Sequence, residues 1–142
     1  MLTNADITLY NKYMDPIEKL DKYKRTYIKN VVWNASKGVN VLRSGLSTAD
    51  SAAVLIFENA SDTQEKPYKE PKAWLKTPNV DMDKYFTIAT GDIIVLGIID
   101  YDINVGGLSG LEKTHDNVLK IKSVDYTNQC SHMLHNWRVG AG

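Results

Sequence analysis

The sequence predicts a mainly β fold, a small antiparallel barrel or sandwich of about eight short strands. At most two short helices and one long extended loop accompany these strands. Two observations carry this prediction. Apolar and polar residues alternate with a period of two over several short segments, and clusters of turn-forming residues separate those segments. The chain contains no repeat and no sustained helical periodicity, so we expect residues 1–142 to form one barrel-like domain.

Composition excludes several classes of protein. The 142 residues are 43% hydrophobic and 24% charged, which is typical of a globular domain and excludes a disordered chain. Equal numbers of basic and acidic residues argue against nucleic-acid binding through bulk charge. A single cysteine excludes an internal disulfide and suits a reducing compartment. No secretion signal is visible, and the longest apolar run has seven residues where a membrane span needs about 20, so no membrane association is expected.

The N-terminal half predicts four strands. Residues 7–13 form the first, with one face made by Ile7, Leu9, Asn11 and Tyr13. The following Asp-Pro-Ile-Glu, residues 15–18, fits a short helix to about residue 22 and a polar hairpin loop equally well.

The clearest alternation spans residues 25–34. One face of this strand should carry Tyr27, Lys29, Val31 and Trp33. Strands at 39–43 and 52–58 follow, and the turn between them is predicted at Gly45, Ser47 and Asp50.

Residues 62–81 predict the long extended loop. Three of the four prolines and four lysines lie here, and prolines at this density stop both helices and central strands. We expect this segment to be dispensable for folding and to contact a partner protein through Tyr68 and Trp74. Stacking on single-stranded nucleic acid is a weaker alternative, because Asp62 and two glutamates dilute the positive charge.

The C-terminal half predicts strands at 85–90 and 92–103 around a Gly91-Asp92 turn. The uninterrupted apolar run at 93–99 indicates a strand covered on both faces, by its own core and by an oligomer neighbour or a packed loop. A glycine-rich loop at 104–110, a short helix at 110–116 and strands at 118–126 and 132–139 complete the chain.

The sequence gives only weak evidence for catalytic, metal-binding or phosphate-binding residues. Cys130, His132 and His135 suggest zinc ligands, but the two histidines point to opposite faces of a strand, and His115 lies elsewhere. No third group completes a Cys–His nucleophile. Acidic pairs at 81/83 and 100/102 lack a longer cation-binding pattern, and the glycines at 106–110 lack a phosphate-binding spacing. We therefore predict no catalytic, cofactor-binding or metal-binding residues and no enzymatic activity.

The predicted functional residues are instead a protein interface. They comprise the lysines and aromatics of the long loop and one face of the apolar strand: Lys66, Tyr68, Lys69, Lys72, Trp74, Lys76, Ile94, Leu96 and Ile98. Charge is uneven along the chain, with net −5 over residues 81–116 and net +3 over residues 1–40. Separated charge suits contacts between copies of the chain, although solvated strand faces would show it too.

Several stretches together resemble the small structural proteins encoded near the portal and tail genes of tailed phages and prophages of Firmicutes. The stretches are DITLYNKY (6–13), LDKYKRTYIKNVVW (20–33), SAAVLIFE (51–58), YFTIATGDIIVLGIIDYDI (85–103) and VDYTNQCSHMLHNWRVG (124–140). This group comprises head-completion proteins, which are stopper, head-closure or head–tail joining subunits. The resemblance covers most of the chain outside residues 62–81.

The resemblance implies a β-barrel core and a homo-oligomeric ring below the portal. Such a ring would join the portal or adaptor to the tail, help retain packaged DNA, lie near that DNA without reading its sequence, and reside in the virion. Two other functions stay open, a tail terminator and a phage-encoded inhibitor of a host factor such as a defence protein. A small metal-dependent enzyme that uses the His–Cys cluster is a third and weaker alternative.

Overall fold

The computed structural model describes residues 4–15, 17–42, 45–57, 61–63, 66–115, 118–127 and 135–142. Its six strands are β1 (Ala5–Met14), β2 (Asp21–Leu42), β3 (Gly45–Phe57), β4 (Ile93–Leu96), β5 (Val118–Thr127) and β6 (Asn136–Ala141). Its helices are α1 (Pro71–Leu75), a 3-10 helix (Asn79–Lys84) and α2 (Ile103–Thr114). All strand pairs are antiparallel, and the sheet closes in the order β1-β2-β3-β6-β5-β4. The mainly β, closed antiparallel fold is thus confirmed, although the ring is not a regular barrel.

Within the described residues six strands replace the predicted eight, because two predicted strands form one and residues 85–90 form none. The predicted strands at 25–34 and 39–43 belong to the single strand β2, and the predicted turn around Gly45 lies within β3. Residues 85–90 contribute only an isolated bridge between Tyr68 and Phe86. The predicted strand at 92–103 is confined to β4, because Gly97 has a positive φ of 95° that ends the extended conformation.

The β1–β2 connection is a polar hairpin loop and not a helix. The Asp15 carboxylate accepts hydrogen bonds from the backbone N–H groups of Ile17 and Glu18, at 2.8 and 3.1 Å. An aspartate that bonds the backbone two and three residues ahead forms a local turn, so the Asp-Pro-Ile-Glu stretch leads to a turn in this protein.

A β-bulge in β2 changes which residues point inward. The register moves from Ile7 opposite Ile28 to Ala5 opposite Val31, so two residues of β2 face one residue of β1. Asn30 adopts a positive φ of 61° and donates its backbone N–H to Asp6 Oδ1 at 3.1 Å. The prediction that residues 27, 29, 31 and 33 share one face is therefore wrong. Of these four residues only Val31 and Trp33 are buried, because they follow the bulge, which reverses the side chains that point inward.

The interior of the ring is filled by aliphatic and aromatic side chains from all six strands and from residues 86–88. Its buried members are Ile7, Leu9, Ile28, Val31, Trp33, Ala52, Val54, Ile56, Phe86, Ile88, Ile94, Ile121, Trp137 and Val139. A second buried cluster lies outside the ring, where α2 covers the outer face of β1 and β4. It contains Tyr10, Ile93, Val95, Ile103 and Leu111.

The part of the apolar run that forms β4 is therefore covered on both faces by the chain itself. Ile94 is fully buried inside the ring, while Ile93 and Val95 pack beneath α2. The predicted outer contact face needs correction, because Ile94 belongs to the core and Leu96 packs partly against it. Ile98 follows the end of the strand and is 41% exposed.

Helix α2 occupies the predicted glycine-rich loop and begins earlier than the predicted helix. Asp102 caps it by accepting a hydrogen bond from the backbone N–H of Asn104 at 2.9 Å, and the helix breaks at Gly107, where φ is 78°. The Tyr101 hydroxyl lies so close to Gly106 that a Cβ there would clash with it. Glycine at position 106 thus allows Tyr101 to pack beneath the helix. The longest helix has 12 residues, and no helix within the described segments is long and apolar enough to cross a bilayer.

Residues 66–84 pack onto the ring and include α1 and the 3-10 helix, so we expect them to contribute to folding, whereas the sequence predicted an extended loop dispensable for folding. Trp74 of α1 is 1% exposed, packs edge-on against Tyr13 with 6.2 Å between ring centroids, and donates its Nε1–H to the Met82 carbonyl at 3.3 Å. The Tyr68 ring lies 4.6 Å from the Trp137 ring. Pro71 starts α1, where its missing N–H is tolerated, so this proline begins a helix instead of preventing one.

A two-stranded ribbon continues past the ring. β1 pairs with β2 only as far as Val31, and β6 pairs with β3 only from Ala52 onward. Between these limits β2 and β3 pair with each other, up to Leu42 opposite Gly45. We name residues 35–42 and 45–51 the β2–β3 arm. Eight residues of strand span about 26 Å, and among the described strands none pairs with either outer edge of the arm.

The C-terminal strand β6 overlaps the strand predicted at 132–139. Cys130 and His132 lie outside the described residues, whereas His135 is partly buried with its ring centroid 6.4 Å from that of Tyr126.

Candidate interaction site

A polar groove of about 270 Å³ lies beside the first half of β2, and we name it the β2 groove. The start of α2 and the end of the 3-10 helix form its other walls. Its lining residues are Tyr10, Tyr23, Lys24, Arg25, Asp83, Tyr101, Asp102 and Asn104.

The groove exists because the first half of β2 has a strand neighbour on one side only. β1 pairs with β2 over Asp21–Val31, but β3 pairs with it only from Val32 onward. Within the described chain, side chains cover much of the edge that β3 leaves open.

Asn104 takes the place of a neighbouring strand at Tyr23. The backbone N–H of Tyr23 donates to Asn104 Oδ1 at 2.8 Å, and Asn104 Nδ2 donates to the Tyr23 carbonyl at 2.9 Å. A side-chain amide carries the same donor and acceptor as a peptide group, so it satisfies both backbone groups of Tyr23. The capping of α2 by Asp102 holds Asn104 at this position.

Lys66 covers the next open position of the edge. Its Nζ donates to the Arg25 carbonyl and to Thr26 Oγ1, both at 3.1 Å. Burial lowers the pKa of Lys66 from its ordinary value, because desolvation disfavours the charged ammonium. Further along, Lys29 and Asp62 exchange two backbone hydrogen bonds at 2.8 and 2.9 Å.

Charges in the groove are paired across it. Arg25 Nη1 lies 3.4 Å from Asp100 Oδ1 and donates to the Tyr101 carbonyl at 3.1 Å. Lys24 Nζ lies 3.4 Å from Asp83 Oδ2. Tyr10 donates its hydroxyl to the same Tyr101 carbonyl at 2.7 Å, and burial raises the pKa of Tyr10 to about 12. The groove thus presents hydrogen-bonding groups and paired charges, which suits recognition of a polar backbone.

The structure separates the predicted interface residues. Lys66 lies at the β2 edge, while Tyr68 and Trp74 pack within the chain. Lys69 lies over the Tyr85 ring, with Nζ 4.0 Å from the centroid. Lys72 and Lys76 are exposed and stay available for a partner.

The aspartates at 81/83 and 100/102 form ion pairs or cap a helix. Asp81 pairs with Lys84 at 3.0 Å, Asp83 with Lys24 and Asp100 with Arg25, while Asp102 caps α2. Among the residues that the structure describes, no group of three or more His, Cys, Asp or Glu side chains is placed to hold a metal ion.

Sequence reasoning missed the main residues of the groove. The predicted glycine-rich loop contains Asn104, the predicted strand at 25–34 begins at Arg25, and no predicted element contains Tyr23. Tyr23 and Asn104 are 81 positions apart, and no local pattern signals their pairing. The only sequence signal was the aspartate at position 102, two residues before Asn104, where a helix can begin.

A sequence-family model described as a family of unknown function (DUF6751) matches residues 2–142. The chain belongs to this family. No curated protein and no solved structure matches the chain.

A second polar cluster at the end of β1 has a titratable group at its centre. The fully buried Asp92 carboxylate accepts hydrogen bonds from Asn11 Nδ2 at 2.8 Å, from the Lys12 N–H at 3.0 Å and from the Ala89 N–H at 3.1 Å. Burial outweighs these bonds and raises the pKa of Asp92 from 3.8 to about 6. The cluster closes the turn that leads into β4.

The raised pKa of Asp92 predicts a pH-dependent stability. The folded state binds the Asp92 proton more tightly than the unfolded state, so this contribution is fully present below about pH 3.8. It is lost as pH rises through about 6, and a shift of about two pKa units corresponds to about 3 kcal/mol. We expect the unfolding free energy of the wild type to fall by about that amount relative to Asp92→Asn between pH 4 and pH 7. Urea denaturation at four pH values measures it, and a constant difference would contradict the prediction.

Proposed function

We propose that this chain is a non-enzymatic structural protein of a tailed-phage particle. It acts as a subunit of a homo-oligomeric ring at the head–tail interface, in the virion, where it joins portal or adaptor to tail and helps retain packaged DNA. The β2–β3 arm is the observation that carries the proposal.

The arm is an element that requires a neighbour. A two-stranded ribbon by itself is marginally stable in water. Among the described strands none pairs with its two outer edges, and an open strand edge pairs readily with another strand. Of the common devices that prevent such pairing, the arm lacks proline and carries two charged residues, Lys37 and Asp50. An arm of this kind is suited to assembly.

Charge distribution and resemblance support the same function. The molecule is neutral overall, yet residues 81–116 carry net −5 and residues 1–40 carry net +3. Opposite net charge on two segments suits contacts between copies, although two of these charge pairs, Lys24–Asp83 and Arg25–Asp100, form within one copy. The resemblance to head-completion proteins adds the expected place of the ring. A phage-encoded inhibitor of a host factor would instead be a stable monomer or dimer.

Shortening the arm tests the proposal. Residues 38–49 are replaced by Asn-Gly, which joins the directly opposed Lys37 and Asp50 through a two-residue hairpin turn. We expect the wild type to form rings by light scattering and negative-stain microscopy, and the shortened variant to be a folded monomer whose circular dichroism is still that of a β-rich protein. A wild type that stays monomeric, or a shortened variant that still forms rings, contradicts the proposal.

The same assay tests the predicted role of residues 62–81. A Lys72→Ala, Lys76→Ala double variant removes two exposed cations without touching the core. If this segment also contacts a neighbour, the double variant weakens the rings, whereas unchanged rings leave the arm as the main contact.

A further inference from the structure

We propose that the β1–β2 hairpin, α1 and the 3-10 helix form a docking surface for a different protein, one that presents aliphatic side chains flanked by carboxylates. This inference rests on the proposed function in one respect, because the arm is assigned there to contacts between copies. β2 begins at the hairpin and ends in the arm, so the hairpin lies at the other end of this strand.

Exposed aliphatic side chains surround one buried cluster at this end of the molecule. The cluster consists of Tyr13, Trp74 and Met82. The hairpin, α1 and the 3-10 helix also carry large apolar side chains that are 55–89% exposed, and we name these the hairpin-end patch: Met14, Ile17, Leu20, Leu75 and Val80. Of the eight exposed large hydrophobic side chains in the described segments, five belong to this patch. Exposed apolar residues gathered in this way mark an interaction surface.

The patch is held in place before any partner binds. The hairpin loop closes through hydrogen bonds from the Asp15 N–H to the Leu20 carbonyl at 2.9 Å and from the Lys19 N–H to the Asp15 carbonyl at 2.8 Å. The edge-on packing of Tyr13 against Trp74 fixes α1 beside the hairpin. A preformed surface loses little conformational entropy on binding, so the burial of its apolar side chains contributes to affinity.

The charges left unpaired around the patch are mostly lysines. Every acid of the hairpin and of the 3-10 helix has a lysine nitrogen within 3.4 Å: Asp15, Glu18, Asp21, Asp81 and Asp83. Lys19, Lys72 and Lys76 are exposed and form no ion pair with any described residue. Glu70, at the start of α1, is the one acid here in the same condition within the described segments. Carboxylates of a partner would therefore find three lysines to pair with.

These charges favour a different protein over the other occupants. A second copy would bring the same unpaired lysines together without acids to match them, which disfavours self-association through the patch. An anionic membrane surface would face the five paired acids as well as the lysines. A protein can instead place single carboxylates opposite the lysines and aliphatic side chains against the patch.

Two peptides of opposite charge test the chemistry of the partner. Each is a synthetic amphipathic helix of about 18 residues with leucine on one face. The other face carries glutamate in the first peptide and lysine in the second. We expect the full-length protein to bind the glutamate peptide about tenfold more tightly than the lysine peptide in fluorescence anisotropy. Equal affinity for the two peptides, or no binding of either, overturns the proposal.

Two double variants locate the binding at the patch. Ile17→Ser with Leu20→Ser removes two exposed aliphatic side chains, and we expect it to weaken binding of the glutamate peptide about tenfold. Lys72→Ala with Lys76→Ala should lower the preference for glutamate about threefold. Val105→Ser is the matched control, because Val105 is 86% exposed on α2 and lies outside the patch.

The variants contradict the proposal if neither double variant changes peptide binding, or if the control weakens it as much as the Ile17→Ser, Leu20→Ser variant. Circular dichroism verifies the fold of each. If the aliphatic double variant does not fold, the lysine double variant decides the question by itself.

Light scattering of the same proteins separates the two proposals. The Ile17→Ser, Leu20→Ser variant should still form rings, because its arm is unchanged. A wild type that prefers the glutamate peptide but forms no rings overturns the proposed function and leaves this docking surface standing, and rings without that preference do the reverse. Phosphatidylglycerol vesicles that bind the wild type but not the Ile17→Ser, Leu20→Ser variant would assign the patch to a membrane and overturn the protein partner.

Discussion

Replacing Trp74 with alanine is expected to lower the free energy of unfolding by about 3–5 kcal/mol. Trp74 is 1% exposed, its ring packs against Tyr13 and Met82, and its Nε1–H is satisfied by the Met82 carbonyl. Truncation would leave a cavity between α1 and the end of β1 and would leave that carbonyl without its donor. Urea denaturation monitored by circular dichroism measures the loss.

Leu75→Ala is the matched control for Trp74→Ala. Leu75 is the next residue of α1 and is 55% exposed, so its truncation should change the unfolding free energy by less than about 1 kcal/mol. If Trp74→Ala were as mild as the control, residues 66–84 would not be part of the folded core. The partner-binding segment predicted from the sequence would then be the better description.

Replacing Ile94 with alanine is expected to cost about 2–5 kcal/mol. Ile94 is fully buried in the ring between Leu9 of β1 and Leu119 of β5, its direct partners in the two adjacent strands. Removing three carbon atoms from a site enclosed by neighbouring strands leaves a cavity that the closed sheet cannot readily collapse. The same denaturation experiment applies.

Ile98→Ala is the control for this position. Ile98 lies beyond the end of β4 and is 41% exposed, so its truncation should cost less than about 1 kcal/mol. An equal loss at the two positions would contradict the assignment of Ile94 to the core. Loss of rings in Ile98→Ala without loss of stability would restore part of the contact face predicted from the sequence.

Much of the fold follows from local pattern. Alternation over residues 7–13 identifies β1 with the correct inward face, and the mainly β antiparallel class follows from such segments. The apolar run at 93–99 correctly indicates a strand covered on both faces, although the cover is α2 and the strand is shorter. The predicted inward-facing and outward-facing residues of β2 are wrong because one bulge at Asn30 reverses the alternation of side chains. Periodicity alone does not reveal a bulge.

Local sequence patterns cannot predict the residues of the candidate site. The pairing of Asn104 with Tyr23 joins α2 to β2, and the coverage of Arg25 by Lys66 joins residues 41 positions apart. Each contact depends on where the sheet closes, which is a property of the whole chain. The density of prolines in residues 62–81 predicts an extended segment that contacts a partner. In the structure Pro71 starts α1, which carries Trp74 into the core.

The amino-acid sequence by itself determined the secondary-structure class and the polar character of the β1–β2 turn. These depend on interactions between near neighbours, namely the alternation of side chains across a strand and the hydrogen bonds of Asp15 to the residues that follow it. Only the tertiary structure decided the order of the strands, the covering of the ring by α2 and by residues 66–84, and the edge of β2 that β3 leaves open. These features depend on which distant segments bury each other's apolar surface, and the free energy of that burial belongs to the folded chain as a whole.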